Sequence, residues 1–122
     1  MSEEQGVKAG SICHIEIPGP DLGKLEAFYG ALFGWTFTAM GDEYLLFGDG
    51  DGGGGGFDPS MPVTDGGAVL VLAVEDIETK LAEIAEAGGE VLSPKTEISG
   101  NHGLCAYFRD PCGNKMCVWS KS

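Results

Sequence analysis

The feature that most constrains the fold is an internal repeat with an offset of about 55 residues. A strand, a helix and short strands between residues 11 and 57 recur in the same order between residues 68 and 120. Asp21 and Asp76 open the two helices at matching places, since aspartate is a preferred N-cap residue. One half cannot bury its sheet face alone, so the halves should pair. We therefore predict an α+β protein with two tandem β-α-β-β-β modules.

Each of these aspartates is followed by apolar residues at helical spacing. They are Leu22, Leu25, Phe28, Tyr29 and Leu32 in the first half, and Ile77, Leu81 and Ile84 in the second. Gly34 suits the left-handed backbone that closes a helix, and Gly88-Gly89 ends the second helix.

Domain organisation follows the repeat. A flexible lead at residues 1–9 precedes a single domain at 10–122. Module one covers about residues 10–60 and module two about residues 67–121, with Met61 to Gly66 as the linker.

Alternation of side chains from Ser11 to Ile17 predicts the first strand. One face carries Ile12, His14 and Glu16, and the other carries Cys13, Ile15 and Ile17. Further short strands are predicted near Trp35–Met40, Glu43–Phe47, Ala68–Val74 and Glu90–Ser93. Pro94 interrupts the last of these, and Thr96 to His102 is predicted to be a loop.

Gly48 to Gly56 contains seven glycines and two aspartates. A phosphate-binding loop would lead into a helix and would usually contain a lysine. This segment has no lysine and runs into Phe57-Asp58-Pro59 instead. We therefore expect a flexible loop or a weak edge strand here.

The end of the chain has the pattern of a β-hairpin. Side chains alternate on both sides of Asp110 to Asn114, a turn that contains proline and glycine. This register places Tyr107 across from Cys117, with Cys105 nearby on the same face. A single bulge would reverse that face.

Composition excludes several classes of function. A net charge of −12 argues against nucleic acids and anionic membranes as partners. No apolar run reaches the length of a membrane span, and the polar N-terminus is unlike a signal peptide, so a cytoplasmic protein is expected. The four cysteines are then expected to be reduced thiols, either reactive or simply small buried apolar residues.

With these segments, the chain resembles the vicinal oxygen chelate superfamily, which includes glyoxalase I, bleomycin-resistance proteins and extradiol dioxygenases. The matching segments are His14–Pro18, Ala27–Tyr29, Leu32–Trp35 and Asp110–Asn114. Within the superfamily the chain is most similar to small glyoxalase-related proteins. The resemblance covers about residues 10–120 and implies a mixed sheet that curls around a ligand cup. It also implies a homodimer.

The resemblance further implies four ligand positions for a divalent metal. They fall on His14, on the Gly52 to Phe57 region, on Val69 and on Cys117. Only His14 is a clear ligand, and one imidazole does not hold such an ion tightly. We therefore expect no cofactor. A divalent metal at His14 and a hydrogen-bonded histidine on the floor of the cup are the two alternatives.

The remaining candidates are an acid–base pair and a ligand-contacting set. His14 and Glu16 are the candidate catalytic residues, because an imidazole and a carboxylate in one pocket can acquire different pKa values. Glu16 pointing to the rim is the alternative. The candidate ligand-binding residues are Tyr107, Cys105, Cys117 and Trp119. Cys117 would act as a nucleophile only if its pKa were lowered.

Three functions are compatible with this sequence. The first is a glyoxalase-like protein that binds a small organic metabolite, with lyase or isomerase chemistry if it is catalytic. The second is a metal-free protein that sequesters a ligand in the style of bleomycin-resistance proteins, for which an acidic chain suits a cationic guest. The third is a non-catalytic interaction module. Fold alone does not decide among them.

Overall fold

A computed structural model describes residues 8–122. Residues 1–7, most of the predicted flexible lead, lie outside this range. In chain order the elements are β1 (Ile15–Pro18), α1 (Leu22–Phe33), β2 (Thr36–Ala39), β3 (Leu45–Gly48), β4 (Gly54–Asp58), β5 (Leu70–Ala73), α2 (Ile77–Glu86), β6 (Glu90–Val91), β7 (Thr96–Glu97), β8 (Leu104–Arg109) and β9 (Lys115–Ser120).

The strands form two sheets of the same design. The first sheet has the order β1-β4-β3-β2, and the second has the order β5-β9-β8-β6, with β7 also pairing with β8. Each sheet is mixed, because β1 is parallel to β4 and β5 is parallel to β9, whereas the other pairs are antiparallel. The α+β prediction with repeated β-α-β-β-β order is thus confirmed.

Both helices begin as the sequence predicts. The Asp21 carboxylate accepts a hydrogen bond from the backbone N–H of Lys24, and Asp76 accepts from those of Glu78 and Thr79. Gly34 closes α1 with a φ of 69°, a left-handed conformation that favours glycine. None of the helices among the described residues is long and apolar enough to cross a membrane.

One core joins the two modules through α1. Tyr29 stacks on Trp35 with a centroid distance of 4.5 Å, on the side of the first sheet. On the same helix, Phe28 and Phe33 each lie 6.2 Å from the ring of Phe108 in β8. A single helix therefore contributes aromatic surface to both sheets, which fixes the position of one module relative to the other.

A buried polar network reinforces this junction. The Tyr29 hydroxyl donates to Asp110 Oδ2 at 2.8 Å, and Asp110 also accepts from the backbone N–H groups of Cys112 and Asn114. Asn114 Nδ2 donates to the Pro18 carbonyl at 2.8 Å. Burial raises the pKa of Asp110, while hydrogen bonds from Asn114 and Tyr29 oppose that rise. The hairpin turn thus ties β8 and β9 to α1 and β1.

The glycine-rich segment departs from its prediction. The structure shows that its second half is β4, which lies in the interior of the first sheet between β1 and β3. A Cβ at Gly54 would come within 2.7 Å of the Phe47 carbonyl oxygen, and one at Gly55 would overlap the backbone of Ile15. The predicted loop is present at residues 49–53, between β3 and β4. For Gly54 to Gly56 the prediction of a loop or an edge strand was wrong, because glycine here permits close strand contact.

The prediction of a loop from Thr96 to His102 was partly wrong. Thr96 and Glu97 form β7, which pairs with Cys105 and Leu104 of β8. The strand that Pro94 interrupts therefore resumes after the proline, and β6 and β7 together take the place that β2 holds in the first module.

The register of the final hairpin is as predicted. Tyr107 pairs with Cys117, and Cys105 pairs with Trp119, with no bulge in the six paired positions. Ala106, Phe108, Met116 and Val118 belong to the buried core. The alternate residues of β8 and β9 therefore lie on the sheet face away from the core, which we call the open face; the corresponding face of the first sheet carries Glu16.

Candidate functional site

A hydrogen-bonded cluster occupies the open face of the first sheet. The Tyr44 hydroxyl lies 2.7 Å from His14 Nε2 and donates to Glu16 Oε2 at 3.2 Å. His14 directly precedes β1, Glu16 lies within β1, and Tyr44 directly precedes β3. Strand β4 separates β1 from β3, so the phenol reaches across it to join the two.

Gly56 makes this crossing possible. It lies in β4, paired with Glu16 on one side and with Leu46 on the other. A Cβ at this position would overlap the ring and the hydroxyl of Tyr44. The absence of a side chain thus creates a flat surface on which the phenol rests.

The pKa of Tyr44 is raised. Desolvation is the largest cause, followed by the hydrogen bond to Glu16 and then by the negative charges of Glu16 and Asp58. The hydroxyl therefore keeps its proton at neutral pH and donates it to the Glu16 carboxylate.

The open face of the second sheet is more apolar. Val71 pairs with Cys117, which pairs with Tyr107, so these side chains form one row across three strands. Val71 is 58% exposed and Tyr107 is 37% exposed. The Lys115 ammonium lies 4.9 Å from the centre of the Tyr107 ring. Trp119, in the next row, donates its indole N–H to a backbone carbonyl at 2.8 Å.

Cys117, on this face, is a poor nucleophile. Burial raises the pKa of Cys117, and the neighbouring Cys105 raises it further. This is the opposite of the lowered pKa that a nucleophilic thiol needs. Cys117 is therefore a protonated, buried thiol at neutral pH, and thiolate ligation of a metal would first require its deprotonation.

A cleft of about 470 Å³ lies where the two modules meet. Its walls come from β1, from the linker that follows β4 and from the start of β5 and β9. Glu16 and Val69 both line it, so the cleft reaches one predicted acid–base residue and one predicted ligand position. A larger hollow of about 570 Å³ beside α2 contains none of the predicted site residues.

The residues present do not fit a divalent metal. The repeat places His14 and Val69 at equivalent positions, and the strand registers place Gly56 and Cys117 at equivalent positions. Of these four, only His14 offers a good ligand, and its Nε2 is already bonded to Tyr44. Across residues 8–122 there is no group of three or more His, Cys, Asp or Glu side chains placed to hold an ion.

The structure distributes the predicted site residues over two surfaces. His14 and Glu16 are exposed and are brought together by Tyr44 on the first sheet. The predicted ligand-contacting residues, Cys105, Tyr107, Cys117 and Trp119, lie together on the open face of the second sheet.

Tyr44 is the site residue that sequence reasoning missed. Its alternation with Leu45 and Phe47, both buried, is a signal that it lies on the open face. That Tyr44 lies across Gly56 depends on the pairing of β3 with β4. This pairing was not predicted, because the glycine-rich segment was not predicted to be an interior strand.

Comparisons with known proteins agree with this architecture. The family model for the Glyoxalase/Bleomycin resistance protein/Dioxygenase superfamily matches residues 11–118. The anthracycline biosynthesis protein DnrV of Streptomyces peucetius is 27% identical, over 92% of this chain and 47% of DnrV. The chain therefore spans about half the length of that relative.

Solved structures share the fold. A glyoxalase/bleomycin resistance protein/dioxygenase family enzyme from Burkholderia phytofirmans PsJN has a TM-score of 0.77 at 16% identity, covering 90% of this chain and 98% of that one. TnmS3, an antibiotic binding protein from Streptomyces sp. CB03234, has a TM-score of 0.71 at 22% identity, covering 95% and 99%. At these identities the likeness establishes the fold alone.

Proposed function

Because this chain belongs to the glyoxalase/bleomycin resistance protein/dioxygenase superfamily, we propose that it binds a small organic amine without a resident divalent metal. The observation that carries this proposal is the cluster of His14, Tyr44 and Glu16 on the open face of the first sheet. This cluster offers a carboxylate and a neutral phenol where a metalloenzyme would need several strong ligands.

Charge favours a cationic guest. Glu16 is exposed, and within residues 8–122 no lysine or arginine lies within ion-pair distance of it. The negative charge of Asp58 also acts on Tyr44. The cleft beside Glu16 is lined by two carboxylates, Glu16 and Asp65, and by one lysine, Lys115. With a net charge of −12 over the whole chain, the balance favours a protonated amine.

Apolar surface favours an aromatic or aliphatic body on that amine. The cleft beside Glu16 is also lined by the apolar side chains of Met61, Val69 and Leu70. The cleft of about 470 Å³ beside Glu16 has the size of a small-molecule site. TnmS3, whose fold is similar, is an antibiotic binding protein, which is consistent with a sequestering role here.

A lyase or isomerase reaction is the second candidate function. It is favoured by the phenol that lies between an imidazole and a carboxylate, since such a chain can pass a proton to or from a substrate. Turnover of a bound amine that is lost in Tyr44→Phe, with binding retained, would favour the enzyme over the sequestering protein.

Paired probes test the amine proposal. 2-Naphthylmethylamine carries the charge, and 2-naphthylmethanol is its neutral counterpart. The amine should raise the melting temperature in a concentration-dependent manner, because a ligand of the native state stabilises it by mass action. Glu16→Gln should weaken amine binding by about fivefold, the worth of an ion pair that is partly open to water.

Glu26→Gln is the matched control, since it removes the same charge from an exposed position on α1. It should leave the affinity for the amine unchanged. Equal binding of amine and alcohol, or an equal effect of the two variants, would contradict the assignment of Glu16 as the cation site.

We also propose that the protein is a homodimer. Strands β1 and β5 are edges of their sheets, and the exposed apolar side chain of Val71 extends from one of them. Light scattering after size-exclusion chromatography should give twice the chain mass of 12.7 kDa. A monomer at micromolar concentration would contradict this proposal.

A further inference from the structure

The side chain of Tyr44 fills the space beside Gly56, which corresponds to Cys117 in the other module, one of the ligand positions that the resemblance implies. Glu16 and Val71 occupy matching positions in the repeat; their strand partners are Gly56 and Cys117, respectively. Gly56 and Cys117 are therefore the same position in the two modules. At Gly56 the space that a side chain would enter is taken by the Tyr44 ring and hydroxyl.

Three groups converge on the phenol oxygen. It lies 2.7 Å from His14 Nε2 and 3.2 Å from Glu16 Oε2, and it lies directly over Gly56. The phenol has one proton, which it donates to Glu16. It must therefore accept its second bond from an N–H at His14 Nε2, which leaves no lone pair on that nitrogen.

We propose that the Tyr44 hydroxyl replaces the metal ion of this site and determines which ligands the site accepts. It joins His14 to Glu16, prevents Nε2 from ligating an ion and presents acceptors to the ligand. The class of ligand in this inference rests on the proposed function. The inference adds Tyr44 as the residue that determines the selectivity of the site.

The acceptors decide the ligand chemistry. With Nε2 protonated, His14 Nδ1 keeps its lone pair, and Glu16 keeps one oxygen that Tyr44 does not use. Both accept hydrogen bonds, so the site selects N–H and O–H donors such as protonated amines. Ligands that offer only oxygen acceptors, and would need an ion to bind them, lack a partner here.

The tautomer of His14 provides a direct test that needs no ligand. Nitrogen-15 NMR of the neutral imidazole should show only the Nε2–H tautomer in the wild-type protein, beyond the excess of that tautomer in a free histidine side chain. Tyr44→Phe should shift His14 toward a mixture of tautomers, whereas Tyr107→Phe, which removes a hydroxyl from the other sheet, should not. An Nδ1–H tautomer in the wild type, or no change in Tyr44→Phe, would overturn the proposal.

Cobalt binding provides a gain-of-function test. With millimolar Co²⁺ the wild-type protein should show neither d–d bands beyond the weak ones of the aqueous ion nor shifts of the His14 signals. The Tyr44→Ala, Gly56→Glu double variant opens the space and adds a carboxylate beside His14 and Glu16, so it should bind Co²⁺ at least about tenfold more tightly. Co²⁺ binding at His14 in the wild type, as tight as in the double variant, would overturn the proposal.

The experiments distinguish the amine assignment from the replacement of the metal ion by the Tyr44 hydroxyl. If naphthylmethylamine does not bind but the tautomer and cobalt results are as expected, the amine assignment is wrong and the phenol replacement stands. If the amine binds but the His14 tautomer is independent of Tyr44, the replacement is wrong. Should the double variant not fold, the tautomer comparison in the two mild variants still decides.

Discussion

Replacing Gly55 or Gly56 by alanine should have opposite consequences, although the two glycines are adjacent in β4. A Cβ at Gly55 would overlap the Ile15 carbonyl oxygen and would also lie 2.8 Å from the carbonyl carbon of Ile15 and 2.9 Å from its nitrogen. All three atoms belong to the backbone of β1. A Cβ at Gly56 would meet only the far end of the Tyr44 side chain among its nearest atoms.

The expected losses in the free energy of unfolding differ because a side chain can move away from the new methyl group more easily than a paired backbone can. Gly55→Ala forces β1 and β4 apart, and overpacking with a backbone shift costs about 1–3 kcal/mol, to which each lost ladder hydrogen bond adds about 1 kcal/mol. We expect a loss of about 3 kcal/mol in the free energy of unfolding. Gly56→Ala displaces Tyr44 and loses its two exposed hydrogen bonds, about 0.5–1 kcal/mol each, but gains about 0.5–1 kcal/mol from reduced backbone entropy. The net loss should be about 1 kcal/mol or less.

Urea denaturation of the two variants measures this difference. Gly55→Ala should also lower the melting temperature by about 10 °C, whereas Gly56→Ala should change it by only a few degrees. Gly56→Ala should nevertheless lose the His14 tautomer preference. The reasoning is refuted if Gly56→Ala is as destabilising as Gly55→Ala, or if it retains the tautomer preference.

Three further predictions concern the thiols and the buried network. Because burial raises the pKa of Cys117, iodoacetamide at pH 7 should alkylate Cys117 at least about tenfold more slowly than the exposed Cys13. Peptide mass spectrometry measures the two rates of alkylation, and equal rates would contradict this prediction. Tyr29→Phe removes the 2.8 Å bond to buried Asp110 and should lower the free energy of unfolding by about 2 kcal/mol, with Tyr107→Phe near zero as its control. Since burial raises the pKa of Asp110, the native state holds the carboxyl proton more tightly than the unfolded chain does. The contribution of Asp110 to stability should therefore be largest below about pH 4 and fall as pH rises through the folded-state pKa. The difference in the free energy of unfolding between wild type and Asp110→Asn should show this fall with pH, and a rise with pH would count against it.

Sequence patterns predicted the parts of the site that depend on local alternation. The pairing of Tyr107 with Cys117 follows from period-two alternation around one turn. The same alternation places His14 and Glu16 on one face. These features depend only on neighbouring residues and on the geometry of a strand, so they could be predicted from the sequence.

The centre of the site was not predictable in this way. Tyr44 contacts residues 28 and 30 positions earlier in the chain, and the contact depends on β4 lying between β1 and β3. Glycines give no hydrophobic period, so the pattern of Gly54 to Gly56 did not indicate a strand. The resemblance implied a ligand position somewhere from Gly52 to Phe57, and only the strand registers assign that position to Gly56.

Taken by itself, the sequence determined the repeat, the two capped helices and the final hairpin, because each follows from spacing and backbone preferences within a few residues. Only the tertiary structure decided that the glycine-rich segment is an interior strand and that a tyrosine lies across it between His14 and Glu16. The physical reason is that side-chain convergence depends on the register between strands distant in sequence. That register is set by packing of the whole sheet and not by any local pattern.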